Sequence, residues 1–398
     1  MKITDLKCAV IGNHPVVRIM TDEGIVGVGQ AEFYKPYIKP QILQLREAIL
    51  GADPTDVERV MLRIRQRGGN KPFGSAVSVI EMALWDIAGK AAGLPVHKLL
   101  GGKVRDRLRV YNGGIRFPLN GYRPEDYADD MRRMMALPEG FTMIKQPIAF
   151  HCAMKEVIPG FHYGEHAGAG QHGIMERGKI SEKGLRHTID CVEAMKEVAG
   201  TSVGLALDCG PGWMFSDALR FARGVEHLDL LWLEDLISGD YTPWSDTDLY
   251  RDLTTATSTP IHTGEQIYLR NNYKPLIEAR AVDVIGPDPA DVGGLAELKW
   301  IAEYADLHGI MMAPHGTANG LIGLAALIQV SATLPANFIA FEYPIAVPEW
   351  WADIVTGLPE TIVKDGFVDV LTAPGLGVDL IPEAAERYLN DDDADFFK

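Results

Sequence analysis

The sequence predicts an α/β protein: a closed barrel of alternating strands and helices, preceded by a small α+β domain. Three observations predict it. The first 30 residues alternate like strands between turn signals, and from about residue 38 to 100 the periodicity becomes helical. Beyond that, short apolar runs alternate with amphipathic helical stretches, and each run ends in a side chain able to bind a metal or move a proton.

Taken in order, CAVIG, VVRIMT and IVGVGQA are separated by Gly12-Asn13-His14-Pro15 and Asp22-Glu23-Gly24. Such turn chemistry predicts an antiparallel meander. SAVSVIEMALWDIAGKAAG places Val77, Ile80, Leu84, Ile87 and Ala88 on one helical stripe. After RLRVYNGG come FTMIK, VGLALD, LLWLE, TPIHTGE, DVIGPD, GIMMAPH and FIAFEYP. Sequence such as GLRHTIDCVEAMKEVAG and LAELKWIAEYADLHG separates them. Repeated units of this kind imply a parallel sheet, and their number implies closure.

Composition sets the outer limits. At 398 residues, 47% hydrophobic and 23% charged, the chain has the makings of a large core and of two or three domains. A net charge of -16 argues against nucleic acid or an anionic membrane as partner. It leaves room for an anionic small substrate held by a local cation. Cys8, Cys152, Cys191 and Cys209 are isolated, which suits a reducing compartment, and MKITDLKCAV does not read as a secretory signal. The expected location is the cytoplasm. LIGLAALIQVSATL is interrupted by Gln329, Ser331 and Thr333, so it reads as a core or barrel helix and not as a membrane span.

The chemistry lies at the ends of the apolar runs, in Lys145, Asp208, Glu234, Glu265, Asp288, His315 and Glu342. From Asp208 onward they recur at about the length of one βα unit. Strand tips of a barrel converge on one face, so these groups are expected to share a pocket, with His315 exposed at its mouth. Asp208, Glu234 and Glu265 would repel one another if buried without a counterion, and a divalent cation removes that cost. All-oxygen ligation favours Mg²⁺ over zinc. Helix N-caps are the bland alternative for any one of the three, but not for all in one register. Asp288 beside His315 would fix the imidazole tautomer and supply a base, where a lone histidine would more often be structural. Lys145 would neutralise a substrate carboxylate, act as a second base, or simply be a surface charge. Glu342 would bond a substrate oxyanion if protonated, or cap structure.

ALWDIAGKAAGLPVHKLLGG, WLED, TGEQ, PDPADVGG and APHG, in this order, resemble the enolase superfamily in its mandelate-racemase-like branch. The resemblance covers nearly the whole chain. It implies a modified TIM barrel, (β/α)7β, with an α+β capping domain formed by the N- and C-terminal segments. The domains would be 1–112 for the N-terminal cap, 113–355 for the barrel and 356–398 for the C-terminal segment, which contains APGLGVDLIPEAAERYL and returns to the cap. It further implies Mg²⁺ on Asp208, Glu234 and Glu265, a His315–Asp288 dyad that removes the proton next to a substrate carboxylate, and Glu342 as the oxyanion partner. A homo-oligomer, dimer or octamer, is the habit of the family.

Departures from the family pattern narrow the activity. Where racemising members carry a second lysine, this sequence reads Lys145-Gln146-Pro147, so only the His315 face keeps an obvious base. Proton removal on one face followed by loss of a β-hydroxyl is dehydration, and the hairpin at Gly12 to Pro15 resembles that of galactonate and mannonate dehydratases. Those enzymes carry a histidine where this chain has Gly210. The long stretch between Pro147 and Ser181 holds His151, His162, His166 and His172, a lid or specificity element in the simplest reading and a second metal site in a weaker one. His162, Tyr163 or His166 are candidates to protonate the leaving hydroxyl, as is His315 itself in a syn elimination. Cap residues His14 and Tyr34 are expected to touch substrate. The expectation is a sugar acid dehydratase giving a 2-keto-3-deoxy acid. An epimerase or cycloisomerase is the alternative, and a non-catalytic binding protein on the same fold the remote one.

Overall fold

The computed structural model describes residues 1–66, 74–164, 178–237, 246–316, 320–344 and 350–398. Strands β1 (Ile3–Ile11), β2 (His14–Thr21) and β3 (Val26–Gln30) form the antiparallel meander, in that order. Helices α1 (Val57–Gln66) and α2 (Ser75–Ala92) complete the N-terminal cap. The stripe Val77, Ile80, Leu84 and Ile87 is fully buried, but so are Val79, Met82 and Ala83 on other faces. Helix α2 packs on both β3 and a barrel helix, so it has no water-facing side to keep polar. Alternate glycines make the approach to β3 possible: a Cβ at Gly27 or Gly29 would stand 2.1 Å from the Ala83 or Val79 carbonyl oxygen.

Among the described residues the barrel follows as eight strands, with a long helix between each strand and the next and a few short helical turns besides. Its strands are β4 (Arg107–Asn112), β5 (Met143–Pro147), β6 (Gly204–Asp208), β7 (Leu233–Glu234), β8 (Ile261–Thr263), β9 (Val284–Ile285), β10 (Met311–Met312) and β11 (Phe341–Tyr343). Between them run α3 (Pro124–Met135), α4 (Glu182–Ala199), α5 (Phe215–Gly224), α6 (Thr247–Thr255), α7 (Arg270–Glu278), α8 (Leu295–Leu307) and α9 (Gly320–Ser331). All neighbouring pairs are parallel, in the spatial order β10-β9-β8-β7-β6-β5-β4-β11. Bonds from Ile339 N to Met312 O (2.8 Å) and Glu342 N to Pro314 O (2.9 Å) join the two ends of that order. The result is the (β/α)7β barrel, and the sheet begins with β4, just before the expected domain boundary at 112. Its interior is filled by Tyr111, Met143, Ala206, Trp232, Val284, Ala313 and Ala340.

The last segment returns to the cap. Strand β13 (Phe367–Asp369) pairs antiparallel with β4, and β12 (Val355–Thr356) pairs with β14 (Asp379–Leu380). Asp86 on α2 accepts the Val28 and Leu376 amides at 3.0 and 2.8 Å, and Asp393 accepts the Val10 amide at 2.9 Å. The apolar run after His315 is helix α9, buried along its whole length between barrel and cap. Gln329 within it bonds the His97 amide (2.9 Å) and the Leu371 and Leu376 carbonyls, so the residue that interrupts the apolar run ties three segments together. Among the described residues no helix is long and apolar enough to cross a membrane. All four cysteines are free and buried.

Candidate active site

Asp208 and Glu234 end adjacent strands as register partners, so their carboxylates start side by side. Lys145, two residues short of the end of β5, rises between them. Its Nζ lies 2.5 Å from Glu234 Oε1, 3.2 Å from Glu342 Oε1 and 3.4 Å from Asp208 Oδ2. Burial opposes the ammonium charge, but Glu234, Glu342 and Asp208 outweigh it and hold the lysine well above its ordinary pKa. Lys145 is therefore a buried cation among three acids and not the surface charge that the sequence left open.

The strand period of two sets the floor beneath these acids. Trp232 faces inward two residues before Glu234, and its Nε1 donates to Glu234 Oε2 at 2.9 Å. Tyr111 on β4 meets Trp232 edge-on at 5.3 Å and donates to Glu342 Oε2 at 3.3 Å. His262 on β8 stacks on Trp232 and places Nδ1 3.3 Å from Glu234 Oε2. Burial, reinforced by Lys145, pulls the His262 pKa down to about 3, so this imidazole is neutral. Sequence reasoning passed over His262, because an inward histidine inside a strand carries no signal that separates it from core.

Asp288 and His315 lie just beyond β9 and β10 and meet: Nδ1 stands 2.6 Å from Asp288 Oδ2. The Ala290 amide donates to Asp288 Oδ1 at 2.7 Å and holds the carboxylate in place. His315 Nε2 is left facing the site, 3.2 Å from Glu265 Oε2 and 3.6 Å from Glu342 Oε2. Burial opposes protonation, but Glu265, Glu342 and Asp288 raise the pKa well above the ordinary value. The histidine is not exposed at the mouth: its residue is 8% accessible. Cap residue Glu32 covers it, with Oε1 3.9 Å from Nδ1, and Lys35 clamps Glu32 (2.7 Å) to Asp291 (2.6 Å). Burial pushes the Glu32 carboxyl up to about 7 against the pull of Lys35. No sequence pattern announced Glu32, since it sits in a loop and meets the barrel only in the folded chain.

Mg²⁺ fits this donor set. Glu234, Asp235 and Glu265 bring ligand oxygens within 4.8 Å of one another, and Asp208 joins Glu234 across the Lys145 ammonium. Burial, reinforced by Asp208, Glu342 and Asp235 and opposed by Lys145, pushes the Glu234 carboxyl well above the ordinary range. A divalent cation relieves that strain, and hard oxygen donors suit magnesium. Asp235 is the unforeseen member; its positive φ of 54° turns it inward, where Thr263 Oγ1 donates to it at 2.5 Å.

The remaining expected contacts divide. His14 is buried in the cap, edge-on to Trp351 at 4.9 Å and 5.8 Å from Phe33. Tyr34 is 62% exposed, lies tilted against Phe33 with ring centroids 3.8 Å apart, and feels the charges of Arg116, Glu32, His315 and Glu265. His162 packs against Phe150 and Phe161, while Tyr163 is exposed. His166 and His172 lie outside the described residues. Beside Asp208 stands instead His151, with Nδ1 3.0 Å from Asp208 Oδ1.

Comparison with known proteins places the chain in a family. Residues 10–101 match the mandelate racemase / muconate lactonizing enzyme N-terminal domain, and residues 126–384 match the enolase C-terminal domain-like family. A D-xylonate dehydratase of Haloferax volcanii is 31% identical over 98% of this chain and 89% of its own length. A D-galactonate dehydratase of Verminephrobacter eiseniae is 29% identical over 96% of this chain and 92% of its own. The crystal structure of a mandelate racemase/muconate lactonizing enzyme-like protein from Rubrobacter xylanophilus superposes with a TM-score of 0.83 at 30% identity, covering 98% of each chain. With both domains matched and the site at the strand tips, the chain belongs to the mandelate racemase/muconate lactonizing enzyme family of the enolase superfamily.

Proposed function

We propose that this enzyme is a hydro-lyase, a sugar acid dehydratase that removes water from an aldonic or related acid and yields a 2-keto-3-deoxy acid. The observation that carries the reading is the His315–Asp288 dyad at the strand tips. His315 is oriented by Asp288 at 2.6 Å, whereas Lys145 is held as a cation among Glu234, Glu342 and Asp208. An imidazole aimed by a carboxylate, beside a lysine engaged by three acids, supports removal of the α-proton by His315. The dehydratases to which the chain is similar speak for the same class.

In this reading Asp208, Glu234 and Glu265 would hold Mg²⁺, with Asp235 as the further donor. A bound ion would supply positive charge to offset the negative charge that develops at the substrate carboxylate. His315 Nε2 takes the α-proton, and Asp288 stabilises the imidazolium through Nδ1. Lys145 holds Glu234 and Glu342 in position, and Glu342 faces the developing oxyanion. Glu32 and Lys35 close the cap over the imidazole and keep water from the base.

The test is a screen of aldonic, uronic and aldaric acids with Mg²⁺, detecting 2-keto acids with semicarbazide, beside EDTA-treated enzyme and H315N. A product that disappears in both controls is expected. Solvent deuterium entering unreacted substrate, with no keto acid from any member, would replace this reading by an epimerase or cycloisomerase.

A further inference from the structure

Elimination of water needs two proton events: the α-proton must leave and the departing hydroxyl must gain one. His315 accounts for the first. For the second, the barrel order is informative. In the sequence β10-β9-β8-β7-β6-β5-β4-β11, strand β6 lies four places from β10, which in an eight-stranded barrel is directly across. His315 follows β10, and an imidazole on the β6 side would face it from the other wall of the same mouth.

His151 holds that position. The chain leaves β5 beside Asp208, where the Ile148 amide donates to Asp208 O at 2.9 Å, passes through Ala149 at a φ of 50°, and returns with the His151 amide on Ile148 O at 3.0 Å. The turn delivers Nδ1 to 3.0 Å from Asp208 Oδ1, with the side chain only 16% exposed. Residue 210 has to be glycine for this to happen. Its φ is +58°, and an added Cβ would fall 2.8 to 2.9 Å from His151 N, Cα and Cβ. The backbone of His151 thus fills the space that a side chain at 210 would need, and brings an imidazole to the wall beside Asp208.

We propose that His151 is the catalytic acid for the leaving hydroxyl, an assignment that rests on the dehydratase reading above. His315 Nε2 takes the α-proton while the C–O bond to the β-hydroxyl breaks. The electron pair of the C–H bond becomes the new C=C bond, and that of the C–O bond goes to oxygen. The proton on His151 Nε2 completes a water molecule. The enol then tautomerises, regaining one proton at the β-carbon, so the net change is loss of H₂O. Asp208 at Nδ1 orients the ring. Acid and base on opposite walls give an anti elimination.

The experiment compares wild type, H151N and G210A on the sugar acid identified by the screen and on its 3-deoxy-3-fluoro analogue, with the Mg²⁺-induced rise in Tm as a check on the metal site. Fluoride leaves without being protonated. His151→Asn keeps a donor toward Asp208 and so preserves the thermal response to Mg²⁺. Expected for H151N are a loss of water elimination of about 10²- to 10⁴-fold, fluoride release within about fivefold of wild type, and solvent deuterium appearing at the α-carbon of recovered substrate. G210A, which pushes the His151 backbone away, is expected to lose water elimination more than fluoride elimination. Equal losses on both substrates in H151N would reduce His151 to a positioning residue for Asp208 and overturn the proposal. Unimpaired dehydration in H151N would also overturn it while leaving the dehydratase reading intact. A wild type that eliminates neither water nor fluoride from any acid would overturn both.

Discussion

Lys145 Nζ and Glu234 Oε1 stand 2.5 Å apart, and each side chain is 1% exposed. A buried pair of this kind is sustained by mutual attraction against a large desolvation cost, so removing one partner costs more than the pair contributes. Here the same ammonium also serves Asp208 and Glu342. It occupies the ground between the acids proposed to hold Mg²⁺, and the two cations are therefore expected to support the same carboxylates.

That relationship predicts the behaviour of K145M. In EDTA the variant should lose about 3–5 kcal/mol of stability, because Glu234 loses its buried ammonium partner and Asp208 and Glu342 lose one of theirs. Saturating Mg²⁺ should recover a larger share in K145M than it adds to wild type. Urea unfolding of both proteins in the two buffers measures this. An identical deficit with and without Mg²⁺ would mean that lysine and metal do not share the acids.

D288N tests the dyad without removing the base. The asparagine amide would donate to His315 Nδ1, where the carboxylate now accepts at 2.6 Å, and would force the proton onto Nε2. An imidazole protonated on its substrate side cannot accept the α-proton. The expected result is a fall in kcat of about 10²- to 10⁴-fold, with KM changed less than about threefold and the Mg²⁺-induced shift in Tm retained. A fall in KM and kcat together with loss of the Mg²⁺ response would place Asp288 in substrate or metal binding.

The barrel was legible because its units are local: each apolar run and its terminal acid sit within a few residues, and period and register do the rest. Asp208 and Glu234 fall at strand ends, while Glu265, Asp288 and His315 lie two to three residues past theirs, still on the same face of the barrel. What the sequence hid depends on contacts between distant segments. Glu32 meets His315 only when the cap closes, and Lys145 changes from surface charge to buried cation because β6, β7 and β11 surround it with acids. His151 was visible as one of four histidines in a long loop, but its place beside Asp208 follows from the turn after β5 and from the absence of a Cβ at Gly210.

Gln329 carries a stability prediction for the joint between cap and barrel. It is fully buried in an otherwise apolar helix, and its amide satisfies the His97 N–H and the Leu371 and Leu376 carbonyls. Q329L fills the same space but abandons these three groups. At about 1 kcal/mol or more for each buried group left unpaired, the loss should be on the order of 3 kcal/mol. Hydrogen exchange should rise first at Val96–Leu99 and around Leu376, where the lost bonds anchor the chain. Uniform exchange with unchanged stability would show that the joint is held by apolar packing alone.

His14 supplies the pH dependence. Burial pulls its pKa down to about 4 from the ordinary 6.5, and the ring is wedged between Trp351 and Phe33. The native state therefore holds the imidazole neutral, while the unfolded chain takes up a proton at 6.5. Between these values the unfolded state binds more protons, so stability rises with pH across that window. The contribution is complete above pH 6.5, is lost progressively as pH falls toward 4, and changes no further below it. Between pH 7 and 4.5 this one group should account for about 2.5 kcal/mol of lost stability. H14F retains an aromatic ring against Trp351 and has nothing to titrate, so its loss over the same interval should be smaller than that of wild type by that amount. Urea unfolding at the two pH values, on both proteins, isolates the difference from the carboxylates that titrate in the same range, since those are common to both. Parallel curves would mean that water reaches the ring in the folded protein, and that the cap is looser around β2 than its packing indicates.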